Sequence, residues 1–281
     1  MENTDRKPEW LKIKLPKTSN FTDVKNILKA ENINTICQSG NCPNLGECWD
    51  SGHATFMILG NICTRSCAFC NVATGKPLSV DLKEPIRLAR VIKAMKLKHC
   101  IITSVDRDDL EDYGSKHWHN TIKTIRELNP EVTMETLIPD FKGNFKALDR
   151  IISVKPNIVS HNLETVLRLT LQIRKMSIYE RSLKVLSYLS QNGIRTKSGI
   201  MVGIGEKKEE VIDTMRDLRD VGCKIFTIGQ YLQPTSELLP VEEYVRPEVF
   251  EEYRLIGLEL GFEHVESAPL VRSSYRADKH L

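Results

Sequence analysis

The sequence predicts an α/β fold: a partial (β/α)6 barrel of the TIM type with N-terminal and C-terminal extensions. Three observations lead to this fold class. Short apolar runs alternate with stretches of helical period from residue 55 to residue 260. About six such strand–helix pairs follow one another, and serial β–α units build a parallel sheet covered by helices. Glycine ends three of the helical stretches, at Gly193, Gly222 and Gly261.

The six predicted strands are short and apolar, as buried parallel strands are. They cover residues 55–60, 100–103, 132–138, 157–161, 194–202 and 224–229. The predicted helices cover residues 84–96, 117–128, 144–152, 178–192, 209–221 and 248–260. In such a barrel, the loops after the carboxyl ends of the strands form the active-site edge. We expect an N-terminal extension at 1–52, a barrel at 53–240 and a C-terminal extension at 241–281.

Composition argues against nucleic-acid and membrane partners. The chain has 281 residues, 41% of them apolar, and a formal net charge of +3, which is too small to indicate nucleic-acid binding. No apolar stretch is long enough to span a bilayer. Residues 1–8 include Glu2 and Asp5 and lack the apolar core of a secretory signal. We therefore expect a cytoplasmic protein.

Cysteine usage is the unusual feature. Six of the eight cysteines fall between Cys37 and Cys70. A chain of this length does not need disulfides to hold its core, and in a reducing compartment such a cluster indicates metal ligands. Cys100 and Cys223 lie apart in apolar surroundings, and we predict that they are buried as small hydrophobic residues.

Cys63, Cys67 and Cys70 form a C-x3-C-x2-C motif directly after the first predicted strand. Three thiolates on one loop can each bind a different iron of a [4Fe–4S] cube, which leaves the fourth iron open for a cosubstrate. A structural zinc site normally uses four ligands, so the trio fits zinc poorly. A structural zinc site or a disulfide loop is the alternative.

Cys37, Cys42 and Cys48 form a second trio with C-x4-C-x5-C spacing. Three cysteines and one further group would complete a second cube. A cube whose fourth ligand is weak could give up iron and sulfide. The second trio therefore predicts a cluster with a role beyond scaffolding.

The first trio, in its spacing and its place after a strand, resembles the radical S-adenosylmethionine (SAM) superfamily. With the second trio about fifteen residues upstream, the resemblance narrows to the lipoyl synthases. It departs at 168–176, where that family usually has Tyr near Thr170 and Pro-Gly near Lys175. Matching stretches extend over nearly the whole chain: 8–12, 46–49, 54–60, 71–77, 104–110, 161–165, 197–203, 230–235 and 271–277.

The resemblance implies a radical sulfurtransferase with two [4Fe–4S] clusters. The cluster at Cys63, Cys67 and Cys70 would cleave SAM, and the radical formed would take hydrogen from C6 and then C8 of a protein-bound octanoyl-lysine. The second cluster would donate both sulfur atoms to give the lipoyl carrier. The resemblance also implies that Ser274 is its fourth ligand, with Ser273 as the fallback. A serine oxygen is a harder ligand than a thiolate and suits iron–sulfur clusters less well. A hydroxyl that caps a nearby backbone group is the alternative.

Several polar residues follow predicted strands and could hold SAM. Asn162 and Glu164 lie just past one strand end. Arg174 and Lys197 could neutralise the methionine carboxylate, with ion pairing or surface exposure as the alternative. The amides of the turn at Gly203 could line the adenosyl pocket, or could form only a tight turn. The loop at 106–109 is either a local ion-pair loop or a substrate-orienting one.

The resemblance also implies partners. These are octanoylated lipoyl carrier domains, namely the 2-oxoacid dehydrogenase E2 subunit and the glycine cleavage H protein, and a reductant such as ferredoxin or flavodoxin. Lys7, Lys12, Lys14 and Lys17 could dock an acidic carrier or could form a solvated surface. Two rivals remain: a biotin synthase-like or methylthiotransferase-like radical enzyme, and a zinc-binding interaction module fused to an α/β domain.

Overall fold

The computed structural model describes residues 7–12, 20–51, 53–275 and 277–280. Glu2, Asp5, Lys14, Lys17 and Arg276 lie outside these described residues. The chain divides into two compact units. The first unit comprises Lys14–Arg65 and Asn71–Val159, and the second comprises Met1–Ile13, Ser66–Cys70 and Ser160–Leu281. The strands of both units are mostly parallel and alternate with helices, which confirms the α/β class.

The first unit is a parallel sheet covered by helices. Its strands are β1 (Asn34–Thr35), β2 (Thr55–Ile58), β3 (Ile62–Cys63), β4 (Ala73–Thr74), β5 (His99–Ser104) and β6 (Thr133–Leu137), followed by β7 (Ile158–Ser160), in which the chain passes into the second unit. Its helices are α1 (Asn20–Ala30), α2 (Ile36–Ser39), α3 (Leu45–Asp50), α4 (Glu84–Ala94), α5 (Ser115–Leu128) and α6 (Phe145–Ser153).

The register of this sheet explains why its strands are so apolar. β1 pairs antiparallel with β2, and β2, β5, β6 and β7 follow in that order. Phe56 lies opposite Ile102, and Ile102 lies opposite Thr136 in turn, so fully buried residues face one another across three strands. Both faces of a helix-covered parallel sheet are buried, which selects continuous apolar runs.

The second unit repeats the same plan. Its helices are α7 (Leu167–Ile173), α8 (Tyr179–Gln191), α9 (Lys208–Asp220) and α10 (Pro247–Glu259). Its strands are β8 (Thr196–Val202), β9 (Ile225–Gln230) and β10 (His264–Ser267), parallel in that order. Ile200, Val202 and Phe226 of these strands belong to one buried cluster with residues of the helices, such as Met215 and Phe250. Burial of one such side chain stabilises the folded protein by roughly 1.5–3 kcal/mol.

The twelve predicted strands and helices are all present, with ends shifted by at most a few residues. The prediction lacked the short elements α2, α3, β1, β3 and β4, and also α7 and β10. β10 was not predicted because only Val265 of its four residues is buried. The predicted division into an N-terminal extension, a barrel and a C-terminal extension, at 52/53 and 240/241, was based on sequence motifs. It stays a prediction. Among the described residues, no helix is both long and apolar enough to cross a membrane.

Candidate functional site

Cys63 ends the short strand β3, in the first unit. The parallel pairing of β3 with β4 returns the chain to this point, where the Gly75 N–H donates to the Cys63 carbonyl (3.0 Å). The Cys63 sulfur accepts hydrogen bonds from the backbone N–H groups of Arg65 (3.4 Å) and Asp106 (3.3 Å). The Cys63 thiol itself donates to the Asp106 carboxylate (3.8 Å). Both N–H donors could remain on the sulfur if the thiol proton were exchanged for a metal ion that neutralises the thiolate.

Cys67 and Cys70 lie in the part of the same loop that belongs to the second unit. The Cys70 N–H donates to the Cys67 carbonyl (3.1 Å), which closes a tight turn. Between them, the Ala68 N–H donates to the Ile173 carbonyl (2.8 Å), and Phe69 packs against the buried cluster of this unit. None of the eight cysteines, all of which the structure describes, forms a disulfide, and those of this trio are half-buried, so a ligand can reach them.

A buried arginine, which the sequence did not single out, lies inside the motif. The Arg65 side chain is 2% exposed and contacts the carboxylates of Asp108 (2.8 Å), Asp140 (2.7 Å) and Asp106 (3.3 Å). Burial alone would lower the pKa of Arg65, but hydrogen bonding to Asp108 and the charges of Asp106 and Asp140 outweigh it and raise the pKa. With Arg107 also paired to Asp109 (2.8 Å), residues 106–109 form an ion-pair loop.

Cys37, Cys42 and Cys48 come together at α2 and α3 of the first unit. The Cys42 N–H donates to the Cys37 carbonyl (3.0 Å), and Cys48 lies in the following helix, next to the buried Trp49. Burial raises the pKa of Cys48 to about 12, and the charges of Cys37 and Cys42 add to the shift. Burial likewise raises the pKa of Cys37 to about 11, with a further contribution from Cys42.

The raised pKa values of Cys37 and Cys48 bear on whether a cluster fits. Thiols that resist ionisation on their own become thiolates once iron neutralises their charge. Among the described residues, no three His, Cys, Asp or Glu side chains are placed to hold a single metal ion. A four-iron cube makes a different demand, because each thiolate binds a separate iron. Both trios therefore fit cubes in their donor chemistry.

Ser273 and Ser274 lie half-buried in a turn of the C-terminal tail, where the Tyr275 N–H donates to the Arg272 carbonyl (2.8 Å). Gly229 of β9 allows this tail to approach, because a Cβ there would lie 2.0 Å from the Val271 carbonyl oxygen. The tail also accepts a hydrogen bond from the Gln230 N–H at the Pro269 carbonyl (3.2 Å). The tail that carries both serines is thus fixed along β9.

Three of the five predicted SAM residues lie together in the second unit. The Asn162 amide donates to the Glu164 carboxylate (3.1 Å), and Arg174 donates to the Asn162 carbonyl (3.0 Å). Burial raises the pKa of Glu164, although the charge of Arg174 and the Asn162 hydrogen bond oppose the shift. Asn162 Oδ1 and Arg174 Nε are buried without a hydrogen-bond partner in the described part of the chain. Unpaired buried polar atoms are costly, so they fit a polar ligand.

The other two SAM candidates have neighbours of their own. Lys197 on β8 is fully buried, with its Nζ 3.3 Å from Nδ1 of His280. Gly203 adopts a φ of +93°, and its N–H donates to the Glu206 carboxylate. The Gly203 amide is therefore engaged within its own turn.

Cys100 and Cys223 are 1% and 0% exposed, as predicted for buried small hydrophobic residues. Of the four N-terminal lysines, Lys7 and Lys12 are exposed, and Lys12 forms an ion pair with Glu9 (2.8 Å).

Residues 57–218 match the profile of the radical SAM superfamily. The chain is similar to the mitochondrial lipoyl synthase of Nematostella vectensis, with 61% identity over 276 residues that cover 98% of this chain and 95% of that protein. It is also similar to the lipoyl synthase of Treponema denticola, with 55% identity over 281 residues that cover 100% and 97% of the two chains.

Two solved structures share the fold at low identity. Methylornithine synthase (PylB) superposes with a TM-score of 0.56 at 12% identity, over 92% of this chain and 85% of that one. SuiB of Streptococcus suis bound to S-adenosylmethionine superposes with a TM-score of 0.62 at 13% identity, over 90% of this chain and 63% of that one.

Proposed function

Because this chain belongs to the lipoyl synthase family of the radical SAM superfamily, we propose which of its residues hold the clusters, the cosubstrate and the carrier of a sulfur-insertion reaction. The family membership itself implies SAM and one [4Fe–4S] cluster. The reaction is the insertion of two sulfur atoms at C6 and C8 of a protein-bound octanoyl-lysine. One observation supports the assignment above all: the chain carries two separate trios of cysteines, none of which forms a disulfide.

Cys63, Cys67 and Cys70 hold the cluster that binds SAM, and Cys37, Cys42, Cys48 and Ser274 hold the auxiliary cluster. When bound, the first cluster supplies the electron that cleaves SAM, and the second supplies sulfur. The N–H groups of Arg65 and Asp106 hold negative charge on the Cys63 sulfur. Ser274, with Ser273 as the fallback, would offer the auxiliary cluster a harder and weaker ligand than a thiolate.

Asn162, Glu164 and Arg174 bind the cosubstrate. Arg174 neutralises the methionine carboxylate, and its unpaired Nε supplies a hydrogen bond to it. Asn162 Oδ1 accepts from a donor of the cosubstrate, and its amide keeps the Glu164 carboxylate in place. Lys197 adds positive charge inside the same unit, and the turn at Gly203 bounds the pocket. The site should exclude water and oxygen, which would quench the radical.

The carrier is an octanoylated lipoyl domain, either of a 2-oxoacid dehydrogenase E2 subunit or of the glycine cleavage H protein. A ferredoxin or flavodoxin supplies electrons. We place the protein in a reducing compartment, the cytoplasm, because cysteines without disulfides and oxygen-sensitive clusters persist there. Docking at Lys7 and Lys12, together with Lys14 and Lys17 outside the described residues, stays a prediction.

Iron counting in matched cysteine variants tests the assignment. Anaerobically reconstituted wild-type protein should hold roughly eight iron and eight sulfide per chain. The C63A/C67A/C70A and C37A/C42A/C48A variants should each hold about half of this, and C100A, a buried cysteine outside both trios, should equal wild type. With dithionite, SAM and an octanoyl-lysyl peptide, only wild type and C100A should add two sulfurs. Stoichiometric zinc without sulfide would instead support the interaction-module alternative.

A further inference from the structure

The second unit exposes an apolar surface on α7 and on the connection that follows it. The α7 surface consists of Leu167, Leu171, Met176 and Ile178, which are 55%, 69%, 49% and 46% exposed. Leu167 and Leu171 lie four residues apart and so share one face of the helix. Ten large apolar side chains are exposed in the described parts of the chain, and four of them fall within residues 167–178. Such a concentration is typical of an interaction site.

The same segment is strongly basic. Residues 167–184 contain five Lys or Arg and one Glu, a net charge of +4, whereas the whole chain carries +3. Arg168 is paired with Glu210 (2.6 Å), which offsets one of these charges. Lys175 and Lys184 are exposed. An apolar face with exposed cations beside it selects a partner with an acidic face, and the charges accelerate its encounter.

The α7 surface adjoins the motif loop. Ile173, the last residue of α7, accepts a hydrogen bond at its carbonyl from the N–H of Ala68, which lies between Cys67 and Cys70 (2.8 Å). The next residue, Arg174, donates to the Asn162 carbonyl (3.0 Å). A protein bound to α7 would therefore be held next to the loop and the proposed cosubstrate residues.

We propose that the α7 surface docks the carrier domain, a small acidic protein domain that presents octanoyl-lysine. Leu167 and Leu171 provide the apolar contact, and Lys175 and Lys184 pair with carboxylates of the carrier. This inference rests on the proposed function and adds to it the surface that receives the substrate protein.

Two double variants test the proposal, L167Q/L171Q for the apolar contact and K175E/K184E for the charge. Each is assayed with an octanoylated lipoyl domain and with a short octanoyl-lysyl peptide, and the Kd of the octanoylated domain is measured separately by calorimetry. Both variants should raise KM and Kd for the domain about tenfold or more. Turnover of the peptide should stay at the wild-type value, because the peptide reaches the site without docking. Salt should weaken domain binding less in K175E/K184E than in wild type.

Matched controls change the same residue types elsewhere. L255Q/L258Q alters two exposed leucines of α10, and K93E/K146E alters exposed lysines of α4 and α6. Both controls should bind the domain as wild type does. Wild-type domain affinity in both test variants would overturn the proposal, as would an equal loss of peptide turnover. A change in oligomeric state of L167Q/L171Q with unaltered carrier binding would assign the surface to a second copy of the chain.

The calorimetric measurement separates this proposal from the function on which it rests. If wild-type protein binds the octanoylated domain through the α7 surface but adds no sulfur to domain or peptide, the proposed reaction fails and the docking surface stands. If sulfur is added to both substrates and the variants bind normally, the reaction stands and the docking surface fails.

Discussion

The guanidinium of Arg65 donates two hydrogen bonds, both 2.8 Å long, to the carboxylate of Asp108, which lies 43 residues away in sequence. Arg65 lies two residues after Cys63, and Asp106, which donates its N–H to the Cys63 sulfur, contacts the same guanidinium. The ion-pair cluster therefore fixes the first thiol of the motif relative to a donor that acts on it.

Replacing Arg65 should destabilise the first unit and empty the first cluster site. R65Q leaves three carboxylates near one another without a cation, which costs about 3–5 kcal/mol for a broken buried pair. R65K keeps the charge but lacks the planar guanidinium that binds a carboxylate through two hydrogen bonds. Its stability and iron content should therefore lie between those of wild type and R65Q. Urea unfolding and iron content give the measurements. Wild-type stability and iron content in R65Q would contradict the role of the cluster of ion pairs.

Gly229→Ala should displace the C-terminal tail. A Cβ 2.0 Å from the Val271 carbonyl oxygen cannot be accommodated without movement of that backbone. We expect a stability loss of roughly 1–3 kcal/mol and a selective loss of auxiliary-cluster iron, since the tail carries Ser274. G193A is the control: its φ of +75° strains alanine, but no atom lies within 4 Å of the added Cβ. Equal iron content in G229A and G193A would refute the link between the tail and the cluster.

Arg174→Gln should weaken SAM binding. A lost charge-assisted hydrogen bond costs about 1.5–3 kcal/mol, which corresponds to a Kd roughly ten to a hundred times higher. Equilibrium binding of SAM to the reconstituted protein measures the effect, and iron content should remain at the wild-type level. R168Q is the control, because Arg168 lies on α7, the helix that Arg174 directly follows, but is paired with Glu210. An unchanged Kd in R174Q would remove Arg174 from the site.

Glu164 should make the stability of the protein without SAM fall as pH rises. Burial raises the pKa of Glu164 in the folded state, so the folded protein holds this proton more tightly than the unfolded chain does. Stability is then lost as pH increases from the ordinary glutamate pKa of about 4.3 towards the raised value. Thermal unfolding of wild type and E164Q between pH 4 and pH 8 should show a shallower fall in stability with pH for E164Q. Parallel curves would show that Glu164 is not desolvated.

The sequence predicted the alternating core elements because burial imposes a period on their side chains. It indicated both cysteine trios because the members of each trio lie close together along the chain, and their role as cluster ligands stays a prediction. The ion-pair cluster around Arg65 was not predicted, because its partners Asp108 and Asp140 are brought near only by the fold. Helix α7 was not predicted because its apolar residues do not mark a single buried face: Leu167 and Leu171 are exposed.

The central claim is that the auxiliary cluster at Cys37, Cys42 and Cys48 supplies the sulfur, and isotope labelling tests it most directly. Protein reconstituted with ³⁴S-sulfide is incubated with SAM, dithionite and an octanoyl-lysyl peptide. The molecular mass of the peptide product is then measured by mass spectrometry. We predict that both added sulfur atoms carry the label, and that C37A/C42A/C48A forms no product. Unlabelled sulfur in the product, or sulfur insertion by that variant, would contradict the account.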